Sequence, residues 1–109
     1  MFQFLKLAAS IIFFYNVICL AASHVVVMKS ISFAPVKLEI KSGDTVEWVN
    51  QSYTEHSATS DNQPAAFDTG RIKPKAHSKN IVFNEPGNYP YRCTVHGKTM
   101  SAEIVVVPK

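Results

Sequence analysis

The amino-acid sequence predicts an all-β fold, a sandwich or barrel of short strands, behind an N-terminal leader. Three observations indicate this fold. After the leader, short segments rich in β-branched residues alternate apolar with polar side chains, as half-buried strands do. Turn residues such as glycine, proline and asparagine separate these segments. No long segment in this part of the sequence keeps the period of an amphipathic helix, so a helical or mixed fold is not expected.

The leader is the segment 1–23. Lys6 precedes an almost wholly apolar stretch, residues 7–20, and the small residues Ala21, Ala22 and Ser23 follow. This is the layout of a secretory signal peptide, and the apolar stretch is short for a membrane span. Cleavage after Ser23, or one or two residues earlier, predicts an exported protein, in the periplasm or outside the cell. An uncleaved N-terminal anchor is the alternative.

The predicted strands follow one another along residues 24–109, which we expect to form one domain. The segment 51–62 is rich in serine, threonine, aspartate and asparagine, and it predicts a loop. Trp48, Tyr89 and Tyr91 alternate with polar neighbours, which places them on the core-facing side of their strands. The predicted strands are 25–28, 36–40, 45–49, 78–83, 89–93 and 102–107.

The charge of the chain excludes one class of function. Lysine and arginine number 11 and aspartate and glutamate 8, a mild basic excess. The sequence has no basic run, no arginines interleaved with aromatic residues and no glycine-rich phosphate loop. Nucleic-acid binding is therefore not expected.

Cysteine usage narrows the chemistry. Removal of the leader removes Cys19 and leaves Cys93 as the one cysteine of the mature domain. A disulfide within an exported domain is then impossible, although oxidising compartments favour disulfides. Cys93 is therefore interpreted as a metal ligand or a reactive thiol, with a buried structural thiol as the plainest alternative.

Three soft or borderline metal donors lie within eight residues of one another: Cys93, His96 and Met100. Two imidazoles, one thiolate and a weak axial thioether form the ligand set of blue copper sites. The second imidazole must come from elsewhere, and His56 in the polar loop is the best candidate. His77 lies in a basic stretch and is interpreted as a surface residue.

With these residues the chain resembles the cupredoxins, the type 1 (blue) copper proteins, and among them the plastocyanin, pseudoazurin and amicyanin group. The resemblance implies an antiparallel Greek-key β-sandwich and one copper ion per chain, bound by His56, Cys93, His96 and Met100. It also implies single-electron transfer between redox partners by cycling between Cu(I) and Cu(II). The matching segments are 33–35, 41–50, His56, 67–70, 86–93, His96 and Met100.

The ligand segment departs from the family in two ways. Three residues separate His96 from Met100, where plastocyanins have four and amicyanins two. Val95 stands where plastocyanins and amicyanins usually carry proline. Because valine keeps its backbone N–H, we expect a second hydrogen bond to the Cys93 sulfur. The resemblance assigns a first one to the N–H of Ser57.

Other functions are weaker matches to the sequence. Copper oxidases need additional histidine clusters, and four histidines in the whole chain cannot supply them. A Cys93–His96 nucleophile would lack an acid partner and an oxyanion site, so the protein is not expected to be an enzyme. The alternative function is periplasmic copper binding and handling without electron transfer. The absence of a methionine-rich tract disfavours it.

The expected partners are redox proteins, such as a c-type cytochrome, a dehydrogenase or a reductase. The edge of His96 is the expected electron port. Lysines of one face would steer an acidic partner towards it, since complementary charge mainly raises encounter rates. We expect a monomer, with no nucleic acid and no stable membrane insertion of the mature chain. The steering candidates are Lys73, Lys75, Lys79 and Lys98.

Overall fold

The computed structural model describes residues 20–109. They form two four-stranded sheets, ordered β2-β1-β4-β6 and β3-β8-β7-β5, and the predicted all-β sandwich is confirmed. Most of the predicted leader lies outside the described residues. The strands are β1 Ser23–Met28, β2 Phe33–Ala34, β3 Lys37–Lys41, β4 Asp44–Asn50, β5 Thr59–Ser60, β6 Ile81–Phe83, β7 Gly87–Cys93 and β8 Gly97–Val107.

Side chains of each long strand alternate between the core and the outside. In β4, Val46 and Trp48 are fully buried, and in β8 Met100 and Ile104 are fully buried, with half-buried or exposed residues between them. Successive side chains of a strand point to opposite faces, so one face of each sheet closes the core. The sequence pattern therefore reports directly which residues the two sheets bury against each other.

Aromatic rings join the two sheets at the centre of the core. Trp48 stacks on Phe67 with ring centroids 5.3 Å apart, and Tyr91 meets Trp48 edge-on at 5.5 Å. Phe33 packs edge-on against Tyr91 at 4.7 Å. Such pairs contribute about 0.5–1.5 kcal/mol each beyond the burial of their area. Trp48 and Tyr91 are core residues, as predicted, and Tyr89 packs at the core's margin.

The sheets are mixed, whereas the family resemblance led us to expect antiparallel pairing throughout. β1 runs parallel to β4, and β3 runs parallel to β8. After β1 and β2, the chain crosses to the other sheet for β3 and returns for β4. Neighbouring strands joined by such a crossover can run parallel, whereas a short hairpin makes them antiparallel. The remaining neighbours are antiparallel.

Two strands differ from the sequence prediction. β5 lies inside the segment 51–62 that was predicted to be a loop. Its two polar residues pair with Arg92 and Tyr91 of β7. β8 begins at Gly97, five residues before the predicted strand, so Met100 lies within a strand. In both cases pairing with a neighbouring strand outweighs weak local propensity.

Within residues 20–109 the structure contains no helix with the length and apolar character that a membrane crossing requires.

A buried carboxylate at the start of β4 binds to β1 and to the end of β3. Asp44 accepts hydrogen bonds from the backbone N–H groups of Ala22 and Lys41, both at 3.0 Å, and its Oδ2 lies 2.9 Å from Nε2 of His24. The hydrogen bond with His24 and the two backbone bonds lower the pKa of Asp44 from 3.8 to about 2. Because the folded-state pKa is depressed, the carboxylate stabilises the fold above the unfolded-state value, and this contribution is lost as the pH falls towards 2.

We expect Asp44→Asn to lower the free energy of unfolding by about 1–2 kcal/mol at pH 6, because the amide cannot replace a charged acceptor of several hydrogen bonds. The difference from the wild type should shrink as the pH falls from 4 towards 2, since the wild-type carboxylate is then protonated. Urea unfolding at both ends of this range measures it. Asp61→Asn is the control, because Asp61 forms an exposed ion pair with Arg92 that contributes little. A pH-independent difference at Asp44 would contradict the assignment.

Candidate metal centre

The four predicted ligands come from four places in the fold, three of them consecutive along the chain. Cys93 is the last residue of β7, His96 lies in the turn that follows, and Met100 lies in β8. Gly97 closes this turn with a backbone φ of 62°, a left-handed conformation that glycine adopts without steric cost. His56 lies in the segment between β4 and β5. The pairing of β7 with β8 is irregular at Arg92 and Cys93, which turns this end of the sheet out of regular register.

The structure brings His56 and Cys93 into direct contact. Nδ1 of His56 lies 3.6 Å from Sγ of Cys93, and both residues are fully buried. Metal bonds of about 2.0 Å to an imidazole nitrogen and about 2.3 Å to a thiolate sulfur, at an angle between tetrahedral and trigonal, separate the two donor atoms by about this distance. The pair is therefore spaced as two ligands of one metal ion would be.

His96 adds a second imidazole to the pair formed by His56 and Cys93. The rings of His56 and His96 have centroids 5.0 Å apart. Nε2 of His96 is buried and has no hydrogen-bond partner among the described residues. A buried nitrogen without a partner is costly, and a bound ion is one way of satisfying it. Two imidazoles and a thiol with no carboxylate among them suit a soft or borderline metal such as copper.

The side chains of His56, Cys93 and His96 do not converge on one point as the ligands of a bound ion would. Among residues 20–109, no three His, Cys, Asp or Glu side chains converge as closely as the ligands of one ion do. The close pair is His56 with Cys93, while His96 is half-buried in a turn, where a change of rotamer reorients its ring. The 3.6 Å pair and the donor chemistry therefore define the candidate site.

Two backbone N–H groups point at the sulfur. Ser57 and Val95 each donate a hydrogen bond to Sγ of Cys93 over 3.4 Å. Both bonds were expected, the first from the family resemblance and the second because Val95 is not a proline. Hydrogen bonds to a thiolate withdraw charge from it and so modify any metal that it binds.

A buried asparagine that sequence reasoning missed holds the His56 segment. Nδ2 of Asn50 donates to the carbonyl groups of Thr54, at 2.8 Å, and Ile72, at 2.9 Å, and its Oδ1 accepts from the N–H of Ser52. Ile72 also exchanges two backbone hydrogen bonds with His56. The available signal was an asparagine at a strand end with a serine two residues later, the pattern of an Asx turn.

His56 is held in the form that binds metals. Burial, followed by the nearby charge of His96, lowers the pKa of His56, and a backbone hydrogen bond at Lys29 acts in the opposite direction. A lowered pKa keeps the imidazole neutral near pH 7, with a free lone pair on one nitrogen. The lowered pKa thus favours a ring nitrogen that is free to bind a metal ion.

The other two histidines lie outside this cluster. His77 is exposed, and its Nδ1 lies 2.7 Å from a carboxylate oxygen of Glu47. Its interpretation as a surface residue is confirmed. His24 pairs with Asp44 at the start of β1. Neither side chain is therefore placed to bind the metal instead of His56.

Comparison with known proteins agrees with this geometry. Residues 17–107 match the copper binding proteins of the plastocyanin/azurin family. The chain therefore belongs to this family; it is a cupredoxin, and copper is its metal.

The chain is similar to amicyanin of Paracoccus versutus, with 32% identity over 78 residues, 70% of this chain and 59% of that protein. It is also similar to a plastocyanin of Synechococcus sp., with 34% identity over 85 residues, 68% of this chain and 62% of that protein. The chain thus spans about six-tenths of the length of these relatives.

Solved structures show the same fold. A reduced amicyanin variant superposes with a TM-score of 0.70 at 28% identity, over 78% of this chain and 82% of that one. A purple cupredoxin from Nitrosopumilus maritimus superposes with a TM-score of 0.69 at 22% identity, over 77% of this chain and 99% of that one. The second likeness concerns the fold alone.

Proposed function

We propose that the protein is an exported type 1 copper protein that carries single electrons between redox partners. The observation that carries this proposal is the buried contact between Nδ1 of His56 and Sγ of Cys93, 3.6 Å apart, with two backbone N–H groups donating to the same sulfur. A buried thiolate beside an imidazole suits a metal that changes its charge by one without changing its ligands.

In this proposal, His56, Cys93 and His96 would hold the copper ion, and Met100 would add a weak thioether donor. Bound copper supplies the one-electron chemistry. The protein excludes water from the sulfur, because His56, Cys93 and Met100 are all fully buried. It also restrains His56 through the backbone bonds to Ile72. A restrained, water-free site changes little between the two oxidation states, which favours rapid electron transfer.

Burial and position support Met100 as the axial ligand. Its side chain is fully buried, and β8 begins only three residues before it, at the turn that carries His96. Met28 is also fully buried, but it pairs with Phe33 of β2, in the opposite sheet. The thioether nearest to Cys93 and His96 along the chain is therefore the better candidate.

The alternatives are less consistent with the site. A nucleophilic cysteine must reach its substrate, whereas Cys93 is fully buried, so we propose no enzymatic activity. A protein that hands copper to another needs exposed, exchangeable ligands, whereas His56, Cys93 and Met100 are enclosed. These contrasts favour electron transfer over copper handling.

We propose that residues 1–23 are a cleaved leader and 24–109 the mature domain, with the cut after Ser23 or slightly earlier. The backbone of Ala22 accepts a hydrogen bond from Thr45 and donates one to Asp44. A cut after Ala21 would keep both bonds, and a cut after Ser23 would remove them. Mass spectrometry of the exported protein distinguishes these positions.

Cys93→Ser should abolish the intense visible absorption of the Cu(II)-loaded protein, because thiolate-to-copper charge transfer is its source. The variant should still bind Cu(II) weakly through the two imidazoles. His77→Ala is the matched control and should leave the spectrum unchanged, since His77 lies on the surface. Visible absorption and EPR spectra measure both. Colour that survives in the serine variant would exclude Cys93 as a ligand.

Met100→Leu should retain copper and raise the reduction potential, because loss of a thioether donor destabilises Cu(II) more than Cu(I). Protein-film voltammetry of wild type and variant at one pH measures the shift. Met28→Leu is the control, because it makes the same change at another buried position. A larger shift in the Met28 variant would contradict the assignment of Met100 and identify Met28 as the thioether ligand.

Val95→Pro should lower the reduction potential by about 40 mV, because it removes one hydrogen-bond donor from the sulfur. A hydrogen bond contributes about 1 kcal/mol net, and a one-electron couple shifts by about 59 mV per 1.4 kcal/mol. The control is Val95→Ala, which keeps the N–H. An unchanged or higher potential in the proline variant, with its spectrum intact, would mean that this hydrogen bond does not act on the metal.

A basic surface beside the site supports an acidic redox partner. We call it the basic edge. Its residues occupy alternate, exposed positions, while Ile72 and Ser78 between them are buried. The basic edge comprises Arg71, Lys73, Lys75, His77 and Lys79.

The basic edge keeps an excess of positive charge. Arg71 pairs with Glu55 at 3.3 Å and His77 with Glu47 at 2.7 Å. The ion pairs of the described chain include none of the three lysines. Ile72, bonded to the backbone of His56, connects this edge to the metal centre. We propose that these lysines, together with exposed Lys98 near the start of β8, steer an acidic partner.

At low ionic strength, the double variant Lys73→Glu/Lys79→Glu should reduce the anion hexacyanoferrate(III) several-fold more slowly than the wild type. It should reduce a cationic cobalt–phenanthroline complex faster, because the added negative charge attracts a cation. Stopped-flow kinetics of the Cu(I) protein measure both rates. Lys37→Glu/Lys41→Glu makes the same change of net charge on β3, in the other sheet, and is the control. Equal effects of the two double variants would show that net charge, and not the basic edge, governs the rates.

A further inference from the structure

We propose that Thr59 and Asp68 are positioning residues for the metal centre, which act through Ser57 and Thr94 on the hydrogen bonds accepted by Cys93. The four side chains form what we call the hydroxyl relay: Thr94, Ser57, Thr59 and Asp68. The effect on the metal rests on the proposed function, because it requires Cys93 to be a ligand. The relay itself does not depend on that assignment.

The hydroxyl relay is continuous from Thr94, in the turn between Cys93 and β8, through buried Ser57 to Asp68. Oγ1 of Thr94 lies 2.9 Å from Oγ of Ser57, which lies 3.2 Å from Oγ1 of Thr59. Oγ1 of Thr59 donates to Oδ1 of Asp68 over 3.0 Å. The N–H of Thr94 also donates to Oγ of Ser57, at 3.0 Å. Every oxygen in the relay is thus within hydrogen-bonding distance of the next.

Asp68 gives the relay its direction. An ionised carboxylate only accepts hydrogen bonds, and each hydroxyl has a single proton to donate. The hydroxyl of Thr59 donates its proton to Asp68, so the oxygen of Thr59 must accept the proton of the Ser57 hydroxyl. Ser57 then has none left for Thr94, and its oxygen accepts both the N–H and the hydroxyl of Thr94. Hydrogen bonds in such a chain polarise and strengthen one another.

The inner end of the relay joins the two segments that donate to the sulfur. Ser57 follows His56 and donates its own N–H to Sγ of Cys93, and Thr94 lies between Cys93 and the second donor, Val95. The bonds between Ser57 and Thr94 hold these segments at a fixed separation. A relay that reverses or breaks would therefore loosen both 3.4 Å contacts to the sulfur together.

The outer end of the relay is anchored in a turn. Oδ1 of Asp68 also accepts the N–H of Gly70, at 2.9 Å, and Thr59 and Asp68 are joined by a backbone bridge. Asp68 is exposed, while Ser57 is 1% exposed. A surface carboxylate held by its own turn thus orients a hydroxyl that is buried beside the metal centre.

Thr59→Val tests this proposal, because it removes the central hydroxyl and keeps both the shape and the charge of the residue. In the metal-free protein, amide hydrogen exchange at Ser57 and Thr94 should become about fivefold faster, the factor that corresponds to about 1 kcal/mol. In the copper-loaded protein, Thr59→Val should lower the reduction potential by about 40 mV, the shift of a one-electron couple that corresponds to the same fivefold factor. Thr59→Ser should restore both values. Thr45→Val is the matched control, since Thr45 bonds only to Ser23 through its hydroxyl, at 3.4 Å.

Asp68→Asn separates positioning from charge. Its amide oxygen still accepts from Thr59, so exchange at Ser57 and Thr94 should stay slow. Loss of a negative charge should raise the potential, the direction opposite to that of Thr59→Val. Unchanged exchange in Thr59→Val would overturn the relay. Faster exchange with an unchanged potential would overturn its action on the metal. If Cys93→Ser keeps the colour, the proposed function fails, and the exchange rates still decide on the relay.

Discussion

The burial of one sulfur atom constrains the whole ligand end of this domain. Sγ of Cys93 has no exposure to water and receives two backbone N–H groups, while an imidazole nitrogen lies 3.6 Å away. A thiolate in such a place needs positive or partly positive neighbours on every side, because burying an unpaired charge is costly. Two N–H dipoles and a metal ion meet that need; a packed apolar core would not.

The two sheets make this arrangement rigid. Cys93 is joined by β7 to Tyr91, whose ring is fixed between Phe33 and Trp48, and His56 is bonded through its backbone to Ile72. The candidate ligands Cys93 and His56 thus extend from elements that are packed or hydrogen-bonded independently of any metal. A site of this kind keeps its geometry when its charge changes, and electron transfer requires that property. Small domains also gain stability from a bound ion, since their cores are limited.

Polar groups around the site divide into two kinds. Asn50 and Ser57 of the hydroxyl relay are buried, and their hydrogen bonds hold the segments on either side of the sulfur. The basic edge is exposed and acts by its field, over distances of about a Debye length. In the two proposals above, the first kind adjusts the metal and the second its encounters with partners, so the two properties can vary separately by substitution. This separation suits a carrier that must recognise partners without altering its own potential.

The sequence by itself determined the class of fold, most of the core residues and the candidate donors. Alternation in β4 and β8 reports burial directly, and Cys93, His96 and Met100 are close in the chain, so their nearness needs no tertiary information. Only the tertiary structure decided the parallel pairs, the strand β5 and the contacts of Asn50, Thr59 and Asp68. These depend on which distant segments meet, and polar residues in a loop carry no periodic signal of their partners. The local sequence pattern therefore predicts which side chains face the core, and the packing of the two sheets decides which residues they contact there.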